Sequence, residues 1–79
     1  MNWQDYIVAD PAVLVGKPVI KGTRLTVELI LESLADGATE ADLLAAHPRL
    51  RPEHIRAAQA FAAAALSTEA TLFVSGVAE

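Results

Sequence analysis

Three helix starts, the first two each followed within about ten residues by a stop, constrain this chain more than any other feature. Thr26 is a residue type that caps helices. Val27, Ile30, Leu31 and Leu34 follow it at the i, i+3, i+4, i+7 spacing of one helical face, and Gly37 stands ready to take the left-handed conformation that ends a helix. The first helix is expected over Val27 to Asp36. Thr39 opens a second, short helix, with Asp42 at its third position in a near capping box, Leu43 and Leu44 on its buried side and His47-Pro48 as its stop. Pro52 suits the first position of a third helix, which puts Arg51, a poor capping residue, at its N-cap. Ile55, Ala58, Ala62, Ala65 and Leu66 supply the inward stripe of that helix, which is read to about Leu66. Only Pro48 to Arg51 separates the last two helices, so the three form the skeleton of a helix-turn-helix unit.

Ahead of the helices, Tyr6-Ile7-Val8, Val13-Leu14-Val15 and Val19-Ile20 are β-prone runs closed by Asp10-Pro11, by Gly16 and Pro18, and by Gly22. They are too short for independent sheets and read as a small ribbon packed on the helices. The expected fold class is mainly α: a three-helix helix-turn-helix-like domain with a short N-terminal β-ribbon over residues 1–66, followed by a tail over 67–79. Within the tail, Thr71-Leu72-Phe73-Val74 reads as a strand or an apolar extension.

At 79 residues the chain is one domain, of a size whose single core supplies on the order of 3 to 5 kcal/mol. It has no cysteine, so neither disulfides nor thiolate metal sites can reinforce it, and association with an oligomer or partner is the remaining route. The longest apolar run, Ala60 to Leu66, falls well short of the roughly 20 residues that cross a bilayer. The opening MNWQDYIVAD has two acids and no basic region, unlike a signal peptide. A soluble, cytoplasmic protein without a membrane role is expected.

The net charge of −4 weighs against a generic nucleic-acid binder, but the charges are unevenly placed. All six cations, Lys17, Lys21, Arg24, Arg49, Arg51 and Arg56, fall between Gly16 and Arg56, where six acids balance them. Three of them lie in GKPVIKGTR, residues 16–24. That stretch is no Walker loop: Pro11 stands where the first glycine belongs, and Gly16-Lys17 runs into Pro18. Its glycines and proline shape turns, and Lys17, Lys21 and Arg24 are left as phosphate or carboxylate contacts. Carboxylates are available, because Glu28, Glu32 and Asp36 repeat at i, i+4, i+8 and would be relieved by basic neighbours. Lys21 and Arg24 are expected beside them.

The third helix projects Glu53, Arg56, Ala57, Ala60 and Ala64 outward at about 100° per residue. Ala57, Ala60 and Ala64 form a small-residue face that suits a DNA groove, a second helix or plain solvent. Arg49, Arg51 and Arg56 surround the positive N-terminal end of the helix and are candidates for phosphate contact. Side chains able to read bases are few: Arg56, with His54 and Gln59 beside it. His47 and His54 lack metal-ligand spacing, and no serine sits in a nucleophile elbow, so no catalytic residue, cofactor or metal is expected.

Read together, GKPVIKGTRLTVELILESLADGATEADLLAAHPRLRPEHIRAAQAFAA resembles the small bacterial family catalogued as domain of unknown function 433. The likeness spans roughly Ile7 to Ala64 and rests on Gly16 to Arg24, Thr26, Gly37 with Thr39, Pro48-Arg49-Leu50, and Ala58 with Phe61. The chain departs from the family pattern at Val15, where glycine is usual, and at Arg51, where a capping Ser or Thr is usual. The resemblance implies a helix-turn-helix-like domain and an antitoxin of a type II toxin–antitoxin pair, whose toxin resembles a PIN-type ribonuclease. Such antitoxins commonly bind the toxin, form homodimers and can repress their own operon by binding operator DNA. On this reading Leu72, Phe73, Val74 and Val77 add a strand to a partner edge or fold back on the ribbon. The rival expectation is a small structural or dimerisation module with no nucleic-acid role.

Overall fold

The computed structural model describes residues 1–12 and 14–67. Val13 and the segment after Ser67 lie outside the described residues, and with that segment the expected partner contacts Leu72, Phe73, Val74 and Val77.

Two strands form the ribbon: β1 (Ile7–Val8) pairs antiparallel with β2 (Val19–Ile20), with Ile7 opposite Ile20 and Val8 opposite Val19. A short 3-10 turn over Trp3–Asp5 leads into β1. After β2 the chain reverses at once. The Thr23 amide donates to the Ile20 carbonyl at 3.0 Å, and Gly22, third in this four-residue turn, has φ +82. Lys21 before it keeps a negative φ, which is the type II pattern that needs glycine at its third position. The Thr23 hydroxyl locks the turn, donating to the Ile20 carbonyl at 2.8 Å and accepting from the Leu25 amide at 3.0 Å. The second half of GKPVIKGTR is therefore a hairpin corner, continued by Ile20 bonding to Leu25 and by a bridge between Val19 and Thr26.

The third expected strand does not form as read. Leu14–Gly16 is a 3-10 turn with Leu14 at φ +49 and Val15 at φ +57. In the antiparallel register these residues belong to the connection between β1 and β2 and find no strand to pair with among the described residues, so the β-propensity of Leu14 and Val15 is not expressed as a strand.

The helices follow their punctuation. Thr26 accepts from the Leu29 amide at 3.0 Å and caps α1 (Val27–Ala35). Gly37, at φ +104, ends it: the Ala38 amide bonds to the Ser33 carbonyl and the Gly37 amide to that of Leu34, the paired bonds of a Schellman cap. α2 (Glu40–Ala46) begins in a complete capping box, in which Thr39 and Asp42 each accept the other's amide at 3.0 and 2.9 Å. α3 (Pro52–Ser67) is the longest element.

Ile7, Val19 and Ile20 from the ribbon, Val27 and Ile30 from α1, Leu43 from α2, Leu50 from the turn and Ile55, Ala57 and Ala58 from α3 are buried. Trp3 packs edge-on against Phe61, ring centroids 4.9 Å apart, and ties the N-terminal turn to α3. α3 thus packs against that turn, α1 and α2. This corrects the outward placement of Ala57: it is fully buried, because α3 packs against three other elements and so buries more than one face. Farther along, Ala65 and Leu66 are exposed instead of inward. A sixteen-residue α3 spans about 24 Å and a nine-residue α1 about 13 Å, so the last turns of α3 run past the elements that cover its start.

Candidate functional site

Two backbone reversals meet at one edge of the molecule. One is the Lys21–Arg24 corner; the other is the segment from His47 to Arg51 between α2 and α3. In the second, the Leu50 amide donates to the His47 carbonyl at 2.8 Å and the Leu50 side chain is buried. Its neighbours Arg49 and Arg51 are consequently left exposed. The Arg49 Nη1 donates to the Gly22 carbonyl at 3.0 Å, fastening the two reversals together and holding its guanidinium at the seam.

Around that seam lies an open depression of about 430 Å³, lined by Lys21, Gly22, Thr23, Pro48, Arg49, Arg51 and His54. No carboxylate of the described residues lines it. A second depression, which shares Gly22, Thr23 and Arg49 with the first, takes in Arg24, Asp10 and Val8. Lys21, Arg24, Arg49 and Arg51 thus gather at one edge, and none has an ion-pair partner among the described residues.

His54, placed by the sequence reading beside Arg56 as a base-reading side chain, has a capping role that reading did not anticipate. The Arg51 amide donates to its Nδ1 at 3.0 Å, so the side chain at the third helical position takes up the N-cap amide. This is half of a capping box, and it replaces the cap that Arg51 cannot provide. A donor at Nδ1 leaves the proton of the neutral ring on Nε2. The Tyr6 ring lies edge-on to the imidazole at 5.8 Å. Partial burial first, and the Arg51 charge second, hold the His54 pKa below its ordinary 6.5, against an opposing pull from Glu53. The signal for this cap was a histidine three residues after a poor N-cap.

Not every expected cation belongs to the edge. Lys17 pairs with Glu28 at 3.0 Å, both side chains more than half exposed. The Val27 amide bonds to the Pro18 carbonyl at 3.0 Å, which brings Lys17 level with the first turn of α1, while the hairpin carries Lys21 and Arg24 away. The expected relief of the acidic stripe by Lys21 and Arg24 is thus corrected: among the described residues Lys17 pairs with Glu28, and neither Lys21 nor Arg24 pairs with the stripe. Arg56 is exposed on α3 but does not line the Lys21–His54 depression. Of the small-residue face, Ala57 is buried, Ala60 half-buried and Ala64 exposed.

A family described as Protein of unknown function (DUF433) matches residues 7–62. The chain belongs to the DUF433 family. Among curated proteins no match to it is found. A crystal structure of a DUF433 member protein from Anabaena variabilis ATCC 29413 at 2.00 Å resolution is similar to it with a TM-score of 0.72 and 26% sequence identity, over 96% of this chain and 71% of that one. The DUF433 match takes in the ribbon, α1, α2 and both reversals of the cationic edge. Among the described residues, no three His, Asp or Glu side chains of this DUF433 chain form a group able to hold a metal ion, and no helix is long and apolar enough to cross a membrane.

Proposed function

We propose that this DUF433 chain is a non-catalytic, antitoxin-like binding protein of the cytoplasm that contacts nucleic-acid phosphates through its cationic edge. The single observation that supports this reading is the gathering of Lys21, Arg24, Arg49 and Arg51 around Gly22 with no ion-pair partner among the described residues, although Asp10 lines the depression next to Arg24. Cations so placed suit contact with a phosphate backbone, and His54 Nε2–H adds a neutral donor beside them. Base-edge readers remain few, so the edge holds and orients a duplex more than it reads its sequence. In the same reading the chain acts as a homodimer, neutralises a PIN-like ribonuclease toxin, and uses the phosphate contacts to sit on its own operator.

The test is binding to a duplex carrying the sequence upstream of its own reading frame, measured across a salt series. Each phosphate neutralised steepens log K against log salt by roughly 0.9. The variant combining Lys21→Ala, Arg49→Ala and Arg51→Ala is expected to flatten that slope by about 2 to 3 for each protomer bound. Unchanged binding by this variant, or no binding by the parent chain at low salt, rejects the phosphate assignment. Failure of the product of the adjacent reading frame to co-purify with the chain rejects the antitoxin part.

A further inference from the structure

Another depression, of about 280 Å³, lies between α1 and the middle of α3 and has the opposite character. Val27, Leu31, Phe61, Ala62 and Pro18 line it, and its charged residues are Glu28 and Glu32. Val27 is buried, while Leu31, Phe61 and Ala62 are half-buried, so apolar surface remains open to an incoming side chain. The edge-on contact with Trp3 holds the Phe61 ring in place. Leu66, four residues beyond Ala62 and on the same face of α3, is 54% exposed and extends the apolar strip.

The rim is acidic and loosely held. Glu32 has no ion-pair partner among the described residues, and Asp36 continues the line one turn farther along α1. Glu28 is paired with Lys17, but both side chains are more than half exposed, and an ion pair of that kind contributes little and exchanges readily.

The geometry points to this groove as the seat of a basic amphipathic polypeptide segment of a partner protein. An apolar side chain enters between Leu31 and Phe61, and lysine or arginine one turn away meets Glu32 and takes Glu28 over from Lys17. Charge complementarity selects this occupant. The chain's own residues 68–79 contain Glu69 and Glu79 and no cation, so like charge opposes their entry. The inference uses none of the residues of the cationic edge and does not rest on the nucleic-acid reading.

The probes are three synthetic helical peptides of equal length: leucine on one face with lysine on the other, leucine with glutamate, and alanine with lysine. Backbone amide shifts of the isotope-labelled full chain report where each one binds, and sedimentation reports self-association. The leucine–lysine peptide is expected to shift amides clustered in residues 27–32 and 61–66 saturably, with affinity falling as salt rises. The other two peptides should bind far less. Charge reversal by Glu28→Lys with Glu32→Lys, both at exposed positions, should weaken binding about tenfold or more while the thermal melt confirms folding. Absence of shifts, equal binding of the glutamate or alanine peptide, shifts located elsewhere, or self-association through these same amides would each overturn the inference.

Discussion

Val15 sits at φ +57 and ψ +35 with 94% of its surface exposed. A β-branched residue in the left-handed region carries roughly 1 to 2 kcal/mol of strain, and so exposed a side chain recovers almost none of it through packing. Glycine adopts the conformation freely but loses about 0.5 to 1 kcal/mol more entropy on folding. Val15→Gly is therefore expected to stabilise the chain by roughly 0.5 to 1 kcal/mol, an upward shift of a few degrees in Tm by calorimetry. His54 makes a different prediction at the same scale. Its folded pKa lies below the ordinary 6.5, so between those two values the unfolded chain binds more protons than the folded one. The stability contributed by the neutral, capping imidazole is fully present above 6.5 and is lost as pH falls through the folded pKa. His54→Gln keeps an acceptor at the third helical position without a titrating ring and should remove this limb from a plot of unfolding midpoint against pH. The Asp42 carboxyl, lowered from 3.8 by its hydrogen bonds to Thr39, acts only in the more acidic range below that value and leaves the histidine limb separable.

At the scale of elements, α2 is too short to persist on propensity and leans on its capping box and on Leu43 in the core. α3 combines two environments in one helix. Its first half has Ile55, Ala57 and Ala58 buried, and its last turns stand clear. The same substitution should therefore act differently along it. Ala58→Leu forces extra methylenes into a filled interior and is expected to destabilise by about 1 to 3 kcal/mol, whereas Ala64→Leu should stay within about 0.5 kcal/mol of the parent. Denaturant midpoints of the two variants, measured side by side, check the division.

For the whole molecule, a single small core joins the ribbon to all three helices, and Ile30 is one of its two largest fully buried side chains. Truncation by Ile30→Ala removes about 2 to 5 kcal/mol, comparable to the whole stability of a domain this size. The variant is expected to lose its cooperative thermal transition by circular dichroism. A cooperative melt close to that of the parent would show that stability is spread beyond this core. Charge is also organised at this scale. The cations that collect around Gly22 and the acids along α1 occupy different surfaces, so a net charge of −4 describes neither of them.

The elements were legible from residue type, because helix caps and tight turns are set by interactions a few residues apart. Thr26, Gly37, Thr39 and Pro52 mark α1, α2 and α3 in the structure as they do in the chain. The candidate site was legible as a set of cations but not as a place: Lys17 and Lys21 are four residues apart and serve different surfaces, since a hairpin corner lies between α1's first turn and the Gly22 edge. Helical periodicity likewise assigned Ala57 outward, because a projection assumes one buried face while α3 packs against three elements and buries Ala57 together with Ile55 and Ala58. Contacts between residues near in sequence follow from local chemistry. Which charges converge, and which alanine is buried, follows from how separate elements pack, and that information is held by no short stretch of the chain.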